Sequence, residues 1–387
     1  MQTASPLVLV SVIIPAYNAE AFIGRTLKSV LSQTYTNVEV LVVDDGSQDT
    51  TAEIVKSFAQ QDERVTLLQQ KNAGVAAARN LAIEKSRGEY IAPIDADDIW
   101  YPQKLEKQVQ SMLEADLSVG LVYAWSVDID EEDAIIGKYN LHYNLNFQSV
   151  EGNVYPAMLY SNIIGNGSVP LIRRTCFEKV GGYNSKLREQ NAQGCEDWDI
   201  YLRIAEYYQF RAVPEFLIGY RQVSGSMSRN CTAMERSYNL VMADARQRRP
   251  ETSSRIYNWS ASNFYIYMLS IGRACGDYWS TLAWLYKAIK LDYSPLLKSS
   301  VYKCFIICLF KISAKYLISL IWSEEQSRLQ FPKKIQSSKK VAINGVNTVS
   351  ESQKEIYKIQ YFPWQPYELI KWQRWLYIVQ LCQTVSH

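Results

Sequence analysis

Histidine is almost missing from this sequence: His142 and His387 are the only two in 387 residues. Histidine-based general acid–base chemistry is therefore not expected. The seven cysteines are an odd number with no Cys-x-x-Cys pair, and Cys304 and Cys308 sit inside an apolar run. That pattern fits reduced, buried thiols in a cytosolic protein better than a disulfide framework or a zinc site. No uninterrupted apolar run reaches the roughly 18 residues of a membrane-spanning helix. The nearest approach, SSVYKCFIICLFKISAKYLISLIW at 299–322, is broken by Lys303, Lys311 and Lys315. A dominant charge is missing too. The net charge of +2 argues neither for nor against nucleic acid, no basic block dominates the first 230 residues, and no nucleic-acid partner is expected.

What the chain does contain is apolar residues at 48%, enough to fold, over a length that suggests one large domain with an appendage or two domains. The start, MQTASPLVLVSVIIPAYN, lacks the basic n-region of a signal peptide, and its apolar run ends in Pro15. It reads as a buried β-strand.

The first 115 residues alternate between strand and helix patterns. VLVSVIIP is a continuous β-branched run, as expected of a strand covered on both faces. A helix follows, with Ile23, Leu27, Val30 and Leu31 on one face. VEVLVVDDGS is a second strand. TTAEIVKSFAQ opens with a candidate capping box, Thr50 to Glu53. RVTLLQ is a third strand, AGVAAARNLAIEKS a helix of small residues, EYIAPIDADD a fourth strand, and PQKLEKQVQSML a fourth helix with Pro102 at its start. Such alternation predicts a parallel sheet with right-handed crossovers, whose ligands sit outside the carboxyl ends of the strands. Tyr17 and Asn18, Asp44 and Asp45, and Asp95 and Asp97 fall at three of those ends.

After residue 120 the rhythm loosens. GLVYAWSVDID reads as a strand, GSVPLIRRTCFEKVGGYN as strand, short helix and turn, and QFRAVPEFLIGYRQ as two short strands. From about 232 the chain is helical and aromatic, with a helical hairpin turning at Gly276-Asp277. Residues 333–354 are polar. The expected division is 1–230 as a catalytic domain, 231–332 as a helical C-terminal region, and 333–387 as a polar linker with an aromatic-rich segment.

Two acid clusters carry candidate chemistry. Asp95-Ala96-Asp97 ends a strand, where two carboxylates can face one pocket. Hard oxygen ligands of this kind suit Mg²⁺ or Mn²⁺ shared with substrate phosphates. The bland alternative is a solvated loop in which Asp98 caps the next helix. GCEDWDIYLRIAE, at 194–206, places Glu196, Asp197 and Asp199 before an apolar helix pattern. These acids either cap that helix or supply a general base. Asp44 and Asp45 can accept hydrogen bonds from a base N–H or ribose hydroxyls, with Ser47 and Asp49 left to cap the following helix. The alternative is a turn acid paired with Arg79 or a backbone amide.

In this order SVIIPAYNAE, LVVDDGSQDTT, NAGVAAARN, IAPIDADD and GCEDWD resemble glycosyltransferase family 2, the inverting nucleotide-sugar-dependent transferases of the GT-A fold, over about residues 9–228. The resemblance implies an α/β fold with a Rossmann-like, mostly parallel sheet flanked by helices, here followed by a C-terminal helical extension. It implies a nucleotide pocket around Pro15, Ala16 and Tyr17, with Asp44 and Asp45 at the base and Asp45 at its N–H. It also implies Asn72, Gly74 and Arg79 near the nucleotide, Asp95 near ribose and metal, and Asp97 as the direct ligand of Mg²⁺ or Mn²⁺. Asp197 matches the general base and Glu196 its neighbour. The implied reaction is single-displacement transfer from a nucleotide-diphosphate sugar, a UDP-sugar first, to a saccharide or lipid-linked saccharide, as in bacterial surface polysaccharide assembly.

Two departures matter. Many relatives carry a histidine shortly after the Glu-Asp helix, and here Val223 stands near that place; Arg221, Ser226 or Ser228 are candidates to contact the diphosphate instead. The Gln-x-x-Arg-Trp signature of processive synthases is missing at its expected place, which favours single addition over polymerisation. Two other readings stay open. One is a nucleotide-binding scaffold without activity. The other is a nucleotidyltransferase, which would want a Gly-rich basic loop where PAYNAEAF stands.

Residues 295–345 hold nine Lys or Arg against two Glu. Within them, 299–322 reads either as a basic amphipathic helix on an anionic inner leaflet or as a core helix of a C-terminal bundle. The expected location is cytoplasmic, peripheral at the inner face of the plasma membrane.

Overall fold

The computed structural model describes residues 8–137, 149–223, 230–321 and 366–384. Four parallel strands come first: β1 (Val10–Ala16), β2 (Val38–Asp44), β3 (Val65–Gln69) and β4 (Tyr90–Pro93), adjacent in the order β3-β2-β1-β4. Every residue of β1 is buried, as its unbroken apolar run requires of a strand covered on both faces. The crossovers are α1 (Ile23–Leu31), α2 (Thr51–Gln61) and α3 (Val75–Lys85). On α1 the buried side chains include Ile23, Leu27 and Val30, while Leu31 is only half-buried. Ala76, Ala78 and Ala82 bury the small face of α3.

The sheet then changes character. In chain order come β5 (Ile99–Trp100), α4 (Lys104–Leu113), β6 (Val119–Ile129), β7 (Ile135–Gly137), α5 (Tyr155–Tyr160), β8 (Leu171–Arg173), α6 (Arg174–Val180), α7 (Lys186–Glu189), α8 (Glu196–Ala205) and β9 (Gln209–Arg221). Beyond β4 the sheet continues β8-β6-β9-β5. Strand β8 runs antiparallel to both neighbours, and β6 is parallel to β9.

Several local expectations are corrected. The predicted pair of strands at 209–222 is one strand: its register against β6 slips between Val213 and Phe216, so Pro214 and Glu215 bulge out and the strand continues. The capping box on α2 does not form. Asp49 Oδ1 accepts from the Thr51 N–H at 3.0 Å, and the Thr50 hydroxyl donates to Glu20 Oε2 at 2.7 Å instead. Helix α4 begins at Lys104, after Pro102, and Asp98 does not cap it. Asp98 is fully buried and accepts from the Arg221 N–H at 2.8 Å and the Ser168 hydroxyl at 2.5 Å. Helix α8 is preceded by Cys195 and has no side-chain cap.

The C-terminal part is helical: α9 (Cys231–Arg248), α10 (Ser254–Cys275), α11 (Tyr278–Leu291), α12 (Ser299–Ile321) and α13 (Pro366–Thr384). The hairpin between α10 and α11 turns at Gly276, whose φ of 76° is left-handed, and Asp277 caps α11 by accepting from the Ser280 N–H. Helix α13 packs on α5, with Tyr160 and Trp375 ring centroids 6.1 Å apart, and Arg374 pairs with both oxygens of Asp292 at 2.6 and 2.7 Å. One core cluster runs from the sheet through these helices to Trp375 and Ile378. The polar stretch 333–354 lies outside the described residues. Among the described residues no helix is long and apolar enough to cross a membrane.

Candidate active site

A cleft of about 710 Å³ opens beyond the carboxyl ends of β1, β2 and β4. Its first wall is the exit of β1, Pro15-Ala16-Tyr17, with Tyr17 half exposed. Asn18 follows in a left-handed conformation, φ 48°. Its backbone N–H donates to the Ser47 hydroxyl at 3.0 Å and its side-chain oxygen accepts from the Gln48 N–H at 2.8 Å. The two strand exits are thereby stitched together.

The neighbouring aspartates of β2 part ways. Asp45 lines the cleft, with Oδ1 accepting from the Ala73 N–H at 2.8 Å and Oδ2 from the Gly74 N–H at 2.7 Å. Asp44 faces its own turn, accepting from the Ser47 N–H at 3.0 Å and the Gln69 amide at 3.2 Å. It is not among the residues lining the cleft. Asn72 donates to the Asp45 carbonyl at 2.9 Å and accepts from Arg188.

At the cleft's centre Arg79, from α3, joins the two acid motifs. Its Nη1 donates to Asp197 Oδ1 and its Nη2 to Asp95 Oδ1, each at 2.5 Å. Arg79 is 2% exposed, lies against the Tyr183 ring, and among the described residues has no partner for its buried Nε. Residues separated by a hundred positions thus share one guanidinium fork. Burial pushes the Asp197 carboxyl up, and Asp95 adds to this, while Arg79 opposes it. Glu196 is also raised by burial, and its Oε2 accepts from the Gly194 N–H at 2.8 Å.

Gly167 lies directly over this cluster. A Cβ there would meet Arg79 Nη2 at 2.4 Å, Asp197 Oδ2 at 3.0 Å and Asp95 Oδ2 at 3.2 Å. The two remaining carboxylate oxygens therefore lie close to one point. Ser168, next in line, accepts from the Asp95 N–H at 2.9 Å and donates to Asp98.

Asp97 is treated differently from its neighbours. It lines the cleft and forms no ion pair among the described residues. Burial first, then the adjacent Asp95, push its carboxyl up to about 6. Arg221 braces this turn through backbone: its Nε donates to the Asp97 carbonyl at 2.6 Å and its Nη1 to the Asp130 carbonyl at 2.5 Å, while Nη2 pairs with Asp133. Its guanidinium is spent on structure, although the side chain lines the cleft beside Val223. Ser226 and Ser228 lie outside the described residues.

The cleft thus brings together Pro15, Ala16, Tyr17, Asp45, Asn72, Gly74, Arg79, Asp95, Asp97, Glu196 and Asp197. Sequence reasoning missed Arg188 and Gln193, which close the side facing Gly74, and Gly167. The Arg188 Nη1 is buried, without a hydrogen-bond partner among the described residues, 4.0 Å from Asp45 Oδ2. Arg188 belongs to a four-residue helix with no periodic signal; the only hint was a basic residue shortly before the acidic motif.

Residues 11–162 match the family model described as glycosyl transferase family 2. This part of the chain is a glycosyl transferase family 2 domain. An uncharacterised glycosyltransferase of Rickettsia bellii is 35% identical over 196 residues, 51% of this chain and 26% of that protein. The UDP-Glc:alpha-D-GlcNAc-diphosphoundecaprenol beta-1,3-glucosyltransferase WfgD of Escherichia coli is 44% identical over 132 residues, 34% of this chain and 50% of that one. The chain spans between 17% and 62% of the length of these and similar curated relatives. Among solved structures, S. aureus TarS 1–349 in complex with UDP superposes with a TM-score of 0.52 at 14% identity, covering 78% of this chain and 88% of that one. The family 2 domain therefore sits in a GT-A architecture extended by C-terminal helices.

Proposed function

We propose that the protein is an inverting glycosyltransferase. It moves a sugar from a nucleotide-diphosphate donor, a UDP-sugar first, to a hydroxyl of a saccharide or lipid-linked saccharide in cell-surface glycan synthesis. The observation that carries this reading is the convergence of Asp95, Asp97 and Asp197 on one cleft, with Arg79 joining two of them. The name of the Escherichia coli relative, which specifies a UDP-linked donor and a diphosphoundecaprenol acceptor, supports the choice of substrate class.

In a single displacement, an acceptor hydroxyl attacks the anomeric carbon from the side opposite the nucleotide. The transition state is oxocarbenium-like. A neutral alcohol is a weak nucleophile and needs a base within hydrogen-bond reach. Asp197 takes that role. Arg79 engages Oδ1 and fixes the carboxylate plane, which leaves Oδ2 for the acceptor. Burial raises the basicity of Asp197, and the adjacent Arg79 charge opposes that rise. Glu196 turns back on the Gly194 amide and sets the first turn of α8. At the other end, Pro15, Ala16 and Tyr17 flank the base, and Asp45, held by two backbone amides, accepts from its N–H.

The donor set fits a hard divalent cation. Among the described residues Asp97 has no ion pair, and it carries like-charge pressure from Asp95, which a cation would relieve. Mg²⁺ or Mn²⁺ held by Asp97 and Asp95 would supply positive charge to the leaving diphosphate. Among the described residues no group of three or more ligating side chains is present, so substrate phosphates and water would complete the shell.

The test is turnover of a panel of nucleotide sugars with Mn²⁺, Mg²⁺ or chelator, comparing wild type with Asp97→Ala. Metal-dependent turnover lost in the variant is expected. Metal-independent turnover untouched by the substitution would sink the assignment. Donor binding without any turnover, with or without acceptor, would favour the inactive scaffold.

A further inference from the structure

Helix α12 turns oil toward water. Its inward stripe is narrow: Val301, Cys304 and Cys308 are buried, and the helix packs on α11. Tyr302, Phe305, Ile306, Leu309 and Phe310 are 52%, 44%, 64%, 43% and 68% exposed. At about 100° per residue these five fall in one arc of roughly 140°, which they share with Ser299 and Ser313. Lys303 and Lys311, both exposed, fall between the apolar face and the buried stripe, and Lys315, also exposed, follows at the angle of that stripe about two turns after Cys308. The patch extends backward onto Tyr293, Leu296 and Leu297, exposed at 74%, 38% and 47%, and the Tyr302 hydroxyl donates to the Leu296 carbonyl at 2.7 Å.

Soluble surfaces rarely present so many large apolar side chains side by side. An apolar arc flanked by lysines has the chemistry of the bilayer interface: rings and aliphatic chains enter the acyl boundary, and ammonium groups remain with phosphates. We infer that the exposed face of α12 is a docking surface for an anionic lipid bilayer, on which the helix lies in the plane of the headgroups. The lysines select this occupant, because an apolar partner alone would not require three exposed cations on the same helix. The surrounding sequence agrees in sign, with nine Lys or Arg against two Glu over residues 295–345. The inference does not depend on the proposed transfer chemistry.

The experiment is co-sedimentation of the full chain with phosphatidylcholine vesicles, with and without phosphatidylglycerol, at low and high salt. Wild type is expected to sediment with the anionic vesicles, less with neutral ones, and less in salt. Phe305→Ser with Phe310→Ser, and separately Lys303→Glu with Lys311→Glu and Lys315→Glu, should each weaken partition about tenfold or more. Circular dichroism and thermal unfolding of both variants should match wild type, since every substituted side chain is exposed. Absence of wild-type binding to anionic vesicles at low salt overturns the proposal. So does a lipid-indifferent dimer that Phe305→Ser with Phe310→Ser disperses, which would assign the face to a second copy. Protection of α12 from hydrogen exchange without lipid, lost on deleting residues 322–365, would assign it to the chain's own segment and also overturn the proposal.

Discussion

The cleft and the C-terminal helices invert ordinary protein economy in opposite directions. In the cleft, ionisable groups are buried: Arg79 is 2% exposed and Glu196 is 4% exposed. On α12, apolar bulk is exposed. Each inversion costs stability unless a partner completes it. The cleft completes part of its own charge by pairing, as Arg79 does with Asp95 and Asp197, and among the described residues leaves Asp97 without an ion pair. What remains unsatisfied in each region therefore indicates the polarity of what it meets, ionic and hydroxylic in the cleft, amphiphilic on the helix.

The largest effect should fall on the acid that Arg79 holds. Asp197→Asn keeps the shape and a hydrogen bond to Arg79 but removes the base, and should lower the transfer rate about 10²–10⁴-fold. Donor affinity, read by calorimetry or thermal shift, should stay within about threefold, a change near 0.7 kcal/mol. Lost donor binding together with lost activity would instead give Asp197 a structural role.

Gly167→Ala tests the same cluster without touching a charge. The new Cβ would stand 2.4 Å from Arg79 Nη2. Either the guanidinium fork or the loop must move, and a shift near 1 Å at an active site can cost on the order of 10²-fold in rate. The expected outcome is a kcat loss of that size with an unfolding midpoint little changed. An unaffected kcat would mean that the fork does not position Asp197.

Arg374 on α13 is paired bidentately with Asp292 and largely buried. Arg374→Met should destabilise the chain by about 2–3 kcal/mol in denaturant titration, because Asp292 is left without its cation. Burial pushes the Asp292 carboxyl up, but Arg374 and Ser294 outweigh it and hold the group below its ordinary value. This stabilisation is therefore present above the ordinary carboxylate pKa and fades as pH falls through the depressed one. The gap between wild type and variant should narrow in acid; a gap constant with pH would mean that packing, not charge, holds α13.

How far the sequence could be read follows the same division. The strands of the parallel half were legible because each is a β-branched run ending in polar turn residues. The acid motifs were legible because topology sends those ends to one crevice. What escaped was anything made by distant backbone. Gly167 matters only because Asp197 and Asp95 lie beneath it, and Arg188 only because α7 folds over Gly74. Asp44 and Asp45 look equivalent in the chain; the turn gives Asp44 to Ser47 and Gln69, and Asp45 to the amides of Ala73 and Gly74. Pro214 suggested a strand break, and a bulge absorbed it. On 299–322 the lysine positions were plain, but which arc meets α11 was not, since a narrow stripe of Val301, Cys304 and Cys308 suffices for packing.

The smallest effect is expected where the exposed apolar face is changed in the absence of lipid. Phe310 is 68% exposed, so Phe310→Ser should leave the unfolding free energy within about 0.5 kcal/mol of wild type. Ile378, fully buried on α13, provides the contrast: Ile378→Ala should cost about 2–4 kcal/mol through lost burial and a residual cavity. If Phe310→Ser cost as much as Ile378→Ala, that ring would already be covered by protein in the lipid-free chain. The exposed face would then be a packing surface and not one reserved for a bilayer. A near-zero cost leaves the aromatic residue with no structural duty in water, and its retention on a lysine-flanked arc then calls for a partner outside the fold.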